Sequence, residues 1–229
     1  MFKLRWFTIT TITATLGMLG GCESARYTEA FYPEGVIDRV VIQSDSGLVE
    51  IISGNRVRVE RTIRAPEGAL DLSHQIRTGD SGEEVLYLSA SCKPLLPCAV
   101  DMNLTLPAGI PVEVQLDEGE VWATGIGALS VQLSRGNLDA DIAGPLQAQI
   151  GSGNAEVDLP ARASATIAVG RGDISLSVPS GAWDLVTAGA QVEIHDTIEV
   201  APSAAGSLEL VAPAGVVRVS PAPTVADAR

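Results

Sequence analysis

Histidine is nearly missing from this 229-residue chain, aromatic side chains make up only 4% of it, and acids outnumber bases 28 to 15. The two histidines, His74 and His195, lie in no recognisable motif, and no Gly-x-Ser-x-Gly elbow, His-Glu-x-x-His pair or phosphate loop occurs. The sequence therefore reads as non-catalytic, with no catalytic residue and no cofactor implied. The formal net charge of −13 argues against nucleic acid as a partner and against adsorption to anionic headgroups. Long apolar runs are also lacking beyond the N-terminus.

What is present begins with Lys3 and Arg5, a short positive segment, followed by a mostly apolar or hydroxylated stretch from Trp6 to Met18. This stretch falls short of the ~20 residues that cross a bilayer but suits a signal peptide. It ends in Leu19-Gly20-Gly21-Cys22, which resembles a bacterial lipobox. Residues 1–21 are expected to be removed and Cys22 to be acylated, making the membrane a partner through a lipid anchor. Glu23 is not the aspartate that retains enteric lipoproteins at the inner membrane, so the outer membrane is favoured. The mature chain would keep 13 basic and 28 acidic residues, a net charge of −15.

Cys92 and Cys98 are the remaining cysteines, separated by Lys93-Pro94-Leu95-Leu96-Pro97. In an oxidising envelope so close a pair reads as a disulfide. Two thiols without neighbouring histidines make a poor zinc site.

The informative region runs from Val112 to about His195. Gly119, Gly136, Gly153 and Gly172 recur at spacings of 17, 17 and 19, with Gly189 a further 17 on. Each lies between five-residue segments that alternate apolar and polar, as strands with one buried face do. The expected inward set comprises Val112, Val114, Leu116; Leu129, Val131, Leu133; Leu146, Ala148, Ile150; and Ala165, Ile167, Val169. Beyond the glycines it continues with Val121, Ala123; Leu138, Ala140, Ile142; Ala155, Val157, Leu159; and Ile174, Leu176, Val178. Outward positions fall into columns: Gln115, Gln132, Gln149 in one, and Glu120, Asn137, Asn154, Asp173 in another. Registered columns are what parallel stacking of coils at ~4.8 Å would give. The expected fold is all-β, a single-chain β-solenoid or β-helix of short parallel strands with glycine turns. The alternative is a β-sandwich of short hairpins.

The expected domain map is a lipoprotein signal over 1–21, a tether over 22–35, a β-solenoid repeat domain over 36–220 and a disordered tail over 221–229. The N-terminal part of the repeat domain is irregular, and residues 36–54 look like a divergent early coil.

The lipobox, the cysteine pair ahead of the repeat, and the motifs Ser152-Gly153-Asn154-Ala155-Glu156-Val157 and Arg171-Gly172-Asp173-Ile174-Ser175-Leu176 resemble the bacterial putative-adhesin family. That family is also catalogued as domain-of-unknown-function family 4097. The resemblance covers roughly residues 36–220. It implies a β-solenoid in the cell envelope and carries over no functional residue.

Several residues invite a functional reading. Asp139 with Glu156, and Asp141 with Asp158, would stack on one outward face, where four carboxylates could hold calcium or form a solvated acidic surface. Trp122, in the same column, could stack on a sugar or a partner side chain, or cap the first coil beneath a loop. Trp183 aligns with inward positions and His195 with the surface. Arg171-Gly172-Asp173 spells an integrin-type tripeptide but occupies the turn of the repeat. The function expected is adhesin-like binding or scaffolding, with an envelope protein, a second copy or a polysaccharide as partner. The alternatives are an envelope-stress sensor or regulator and a polysaccharide-active β-helix enzyme.

Overall fold

The computed structural model describes residues 25–79 and 81–222. The signal segment, Cys22 and residues 223–229 of the tail lie outside the described residues. No described residue is helical. The N-terminal strands are β1 (Ala25–Phe31), β2 (Arg39–Ser53), β3 (Arg58–Ala65), β4 (Leu70–Thr78), β5 (Glu84–Cys92) and β6 (Ala99–Leu106). The repeat supplies β7 (Val112–Ile126), β8 (Leu129–Ile142), β9 (Leu146–Ser152), β10 (Ala155–Asp158), β11 (Ala165–Val169) and β12 (Ile174–Val178). The chain then forms β13 (Gly181–Ile194), β14 (Ile198–Val200) and β15 (Ser207–Pro221).

The repeat strands pair in parallel and in register, which rules out hairpins there. Gln115 lies beside Gln132, and Gln132 beside Gln149; Gly119 lies beside Gly136. β7 and β8 do not stop at their glycines but bend there, so each contributes to two faces. In the next coils β9 and β10, then β11 and β12, are the separated halves. β15 again runs through both faces, beside β11 with its first half and β12 with its second. Because β8 and β15 join the faces, six parallel strands close into a ring, β8-β10-β12-β15-β11-β9 and back to β8.

The core lies between the faces, and every expected inward residue of the repeat is buried. Removing each such aliphatic side chain from water contributes about 1.5–3 kcal/mol for the valines, leucines and isoleucines, which is why the two-residue alternation dictates which face turns in. At the bend the backbones themselves touch. A Cβ added to Gly136 would lie 1.6 Å from the Gly119 carbonyl oxygen, and Gly136 has φ +136°. Glycine is needed there both for that dihedral and for the approach of the adjacent coil.

Three sequence expectations are corrected. The tether assigned to 22–35 contains β1, which pairs antiparallel with β3 from Ala25↔Ala65 to Phe31↔Val59. Gly189 does not continue the bend column: it lies beside Ala212, while Gly215 packs against the Gly172 carbonyl and Gly47 against Gly119. The coils are also not stacked in chain order. β2 lies between β7 and the strands β5 and β6, and β15 lies between the β11–β12 coil and β13. Antiparallel strands are confined to the N-terminal end, where β4 pairs β5 and β1 follows β3 beyond β6.

Candidate functional site

On the second face the sheet register assembles the outward column foreseen in the sequence and extends it. It reads Glu50, Trp122, Asp139, Glu156, Ser175, Arg218, Glu193 across adjacent strands. Asp141 and Asp158 are likewise neighbours, two residues further along. Like charges on adjacent strands repel, and among the described residues none of Asp139, Glu156, Asp141 and Asp158 forms an ion pair with a base. Arg218 instead pairs with Glu193 at 2.9 Å. Among the described residues no group of three or more acidic, histidine or cysteine side chains is placed to hold a metal ion. The face is thus a flat acidic strip.

Trp122 is 44% exposed. The expectation that it caps the first coil under a loop does not hold, because β2 stacks beyond β7 and places Glu50 beside it. An indole flanked by Glu50 and Asp139 can stack on a sugar ring or a cationic side chain. Trp183 is fully buried, with Nε1 donating to the Pro179 carbonyl at 2.9 Å. His195 lies on the surface, bonded through Nδ1 to Thr197 Oγ1 at 2.9 Å.

The first face carries the glutamine column, and Gln43 extends it, donating from Nε2 to Gln115 Oε1 at 3.1 Å. An open groove of about 500 Å³ runs along Gln115, Gln132 and Gln149 toward Ser134 and Gly170. The second predicted column has a structural duty. Asn137 Oδ1 accepts from the Asn154 backbone N–H, Asn154 Oδ1 from that of Asp173, each at 3.0 Å, and Asp173 Oδ1 from that of Val216 at 2.7 Å. These side chains tie each coil to the next at the bend, so the Arg171-Gly172-Asp173 tripeptide is part of that ladder.

The Cys92–Cys98 disulfide is present. Its loop base is tied down: Cys92 N–H donates to Asp45 Oδ2 at 2.6 Å, and Ser46 Oγ donates to the Cys98 carbonyl at 2.6 Å. The tip is not, and Leu95 projects fully into solvent.

One charged cluster was not legible in the sequence. Arg61, 1% exposed, extends between Glu29 Oε1 at 3.4 Å and the Ser73 carbonyl at 3.1 Å. Phe31 stacks on His74, ring centroids 4.3 Å apart. Burial pushes the His74 pKa below its ordinary 6.5, and the Arg61 charge pushes it the same way, against a smaller opposing pull from Glu29. As pH falls below about 6.5, the unfolded chain takes up a proton that the folded chain resists, so stability falls through that window. We expect denaturant midpoints to drop between pH 7 and pH 5, and His74→Gln to flatten the drop. An unchanged slope in that variant would assign the acid sensitivity elsewhere.

No family profile matches the chain, and no curated protein matches it. Among solved structures it is similar to a putative cell adhesion protein of Clostridium sporogenes, at 12% identity and a TM-score of 0.48, over 87% of this chain and 100% of that one. A putative adhesin of Bacteroides fragilis gives 12% identity and a TM-score of 0.32, over 88% and 99% of the two chains. One of Parabacteroides distasonis gives 12% and 0.29, over 86% and 98%. Likeness this distant establishes no activity.

Proposed function

We propose that the chain is a non-catalytic, lipid-anchored β-solenoid of the bacterial envelope that works by binding, as an adhesin-like or scaffolding module. The observation that carries this reading is the asymmetry of its two ends. Antiparallel strands cover the N-terminal end of the stack. At the other end β13 pairs only with β14 and β15 among the described strands. β14 covers the start of its outer edge, over Gly181–Trp183; from Leu185 to Ile194 that edge pairs with no described strand, and Val186, Val192 and Ile194 are 60%, 40% and 38% exposed along it. An unpaired edge with apolar side chains is a template for strand addition.

A second copy of the chain fits this edge. Asp184 and His195 donate their backbone N–H groups to Gly206 and Val219 on the β15 side. Alternation along the strand then turns the N–H groups of Leu185, Thr187, Val192 and Ile194 to the open side. Two β13 edges set antiparallel about the bend place Leu185 opposite Ile194, Thr187 opposite Val192, and Asp184 opposite His195. Leu185 meets Ile194 and Asp184 meets His195, while Val186 meets Glu193, in a two-fold contact that closes on itself.

The test is a photoactivatable residue introduced at Val186, and separately at Trp122, of the full chain in living cells. We expect a covalent adduct from Val186, with a second copy or with one dominant envelope protein. Irradiation that yields no adduct from either site would sink the binding reading.

A further inference from the structure

The loop closed by the disulfide presents two leucines to solvent. Leu95 is 103% exposed and Leu96 44% exposed, and Leu95 sits at φ 69°, a left-handed conformation that leucine rarely adopts. The loop is nevertheless not slack. Besides the bonds at its base, Lys93 N–H donates to the Ala69 carbonyl at 2.8 Å, and Leu96 N–H turns back to the Lys93 carbonyl at 3.3 Å. The fold therefore presents an apolar tip in water on a tied-down base, flanked by Pro94 and Pro97. Lys93 is the loop's single charge, in a chain with 28 acidic residues.

Its position gives the tip an occupant. Ala25 opens β1 opposite Ala65, and Arg64, the next residue of β3, lies opposite Ala99. Ala99 follows Cys98, so the start of β1 and the base of the loop leave the same end of one sheet two strands apart, about 10 Å. Cys22 precedes Ala25 by three residues and can lie at most about 10 Å from it. An acyl chain on Cys22 brings the bilayer to the loop. We propose that Lys93-Pro94-Leu95-Leu96-Pro97 is a second membrane contact, with Leu95 and Leu96 seated in the interfacial layer and Lys93 at the headgroups. The inference rests on the lipid-anchor reading and adds to it a fixed orientation: two attachment points near one corner leave the opposite, β13 end directed away from the membrane.

The experiment places an indole at the tip. The full acylated chain carrying Leu95→Trp is reconstituted in phosphatidylcholine vesicles whose acyl chains are brominated close to the headgroup. Relative to the unsubstituted chain, the added emission should be blue-shifted and should lose at least about half its intensity to the bromines. The same substitution at the far end, Val186→Trp, should be unquenched. Solvent-like, unquenched emission from the loop in protein that floats with the vesicles would overturn the membrane contact while leaving the anchor standing. Equal quenching at both positions would also overturn it, since that reports general adsorption. Protein that does not float with the vesicles would overturn the anchor and the contact together.

Discussion

Replacing Gly136 by alanine should abolish cooperative folding or lower stability by about 4 kcal/mol or more, the range reached only when a substitution breaks packing or backbone geometry outright. Two effects combine. The residue sits at φ +136°, where a Cβ is strained. The new carbon would also fall 1.6 Å from the Gly119 oxygen and 2.7 Å from its carbonyl carbon. Both are backbone atoms of the neighbouring coil, so no rotamer change can relieve the clash. Relief requires pulling two coils apart, and Gly153 packs on Gly136 from the other side so closely that a Cβ added there would also lie 1.6 Å from the Gly136 oxygen, so displacement propagates. Gly109→Ala is the control: nothing lies within 4 Å of its added carbon and its φ is not positive. That variant should unfold within about 0.5 kcal/mol of the parent. Thermal and denaturant unfolding followed by circular dichroism separate the two, and equal losses would show that the bend column is not what holds the stack in register.

Trp183→Ala should cost about 3–5 kcal/mol, as for other large aromatic truncations in cores. The side chain is wholly buried, Gly206 backs onto its ring so closely that a Cβ there would sit 2.2 Å from Cζ3, and the Arg162 guanidinium lies 5.6 Å from the ring centroid. Truncation leaves a cavity that Gly206, having no side chain, cannot fill, and it orphans the Pro179 carbonyl. Trp183→Phe should recover most of the loss, short of roughly 1 kcal/mol for the missing hydrogen bond. Trp183 lies on β13, which pairs only with β14 and β15 among the described strands, so the damage should be local to that end. Limited proteolysis of the alanine variant should release the segment after Val178 while the body resists. Uniform digestion would instead mean that the whole stack unfolds as one unit.

These variants probe features of unequal visibility. The bend glycines and the inward aliphatics were legible because each coil repeats the same short alternation. A residue's environment is then fixed by its neighbours two and seventeen positions away. The Gln115–Gln132–Gln149 and Asn137–Asn154–Asp173 columns followed for the same reason. Coil order was not legible. Parallel coils offer interchangeable edges, and nothing local to β13 distinguishes stacking on β12 from stacking on β15. The 17-residue spacing therefore points to Gly189, whereas Gly215 is the glycine that packs on the Gly172 carbonyl. β1 was missed because 25–31 lies outside the repeat and owes its place to pairing with β3. Of the surface candidates, the sequence placed the acids and Trp122 in one column but could not show that Glu50 also joins it. Arg61 went unnoticed, since a buried arginine between a carboxylate and a carbonyl leaves no spacing signature.

The interior position of β15 bears on the order in which the molecule can be completed. A chain made N-terminus first delivers β13 well before residues 207–221, yet among the described strands β13 reaches the body by pairing only through β15. Until the final segment arrives, β13 has no bed to lie on, and the growing end of the stack is the β11–β12 coil. The last fifteen described strand residues therefore act as a wedge that seats two coils at once, and a stop codon just before Ser207 would remove both.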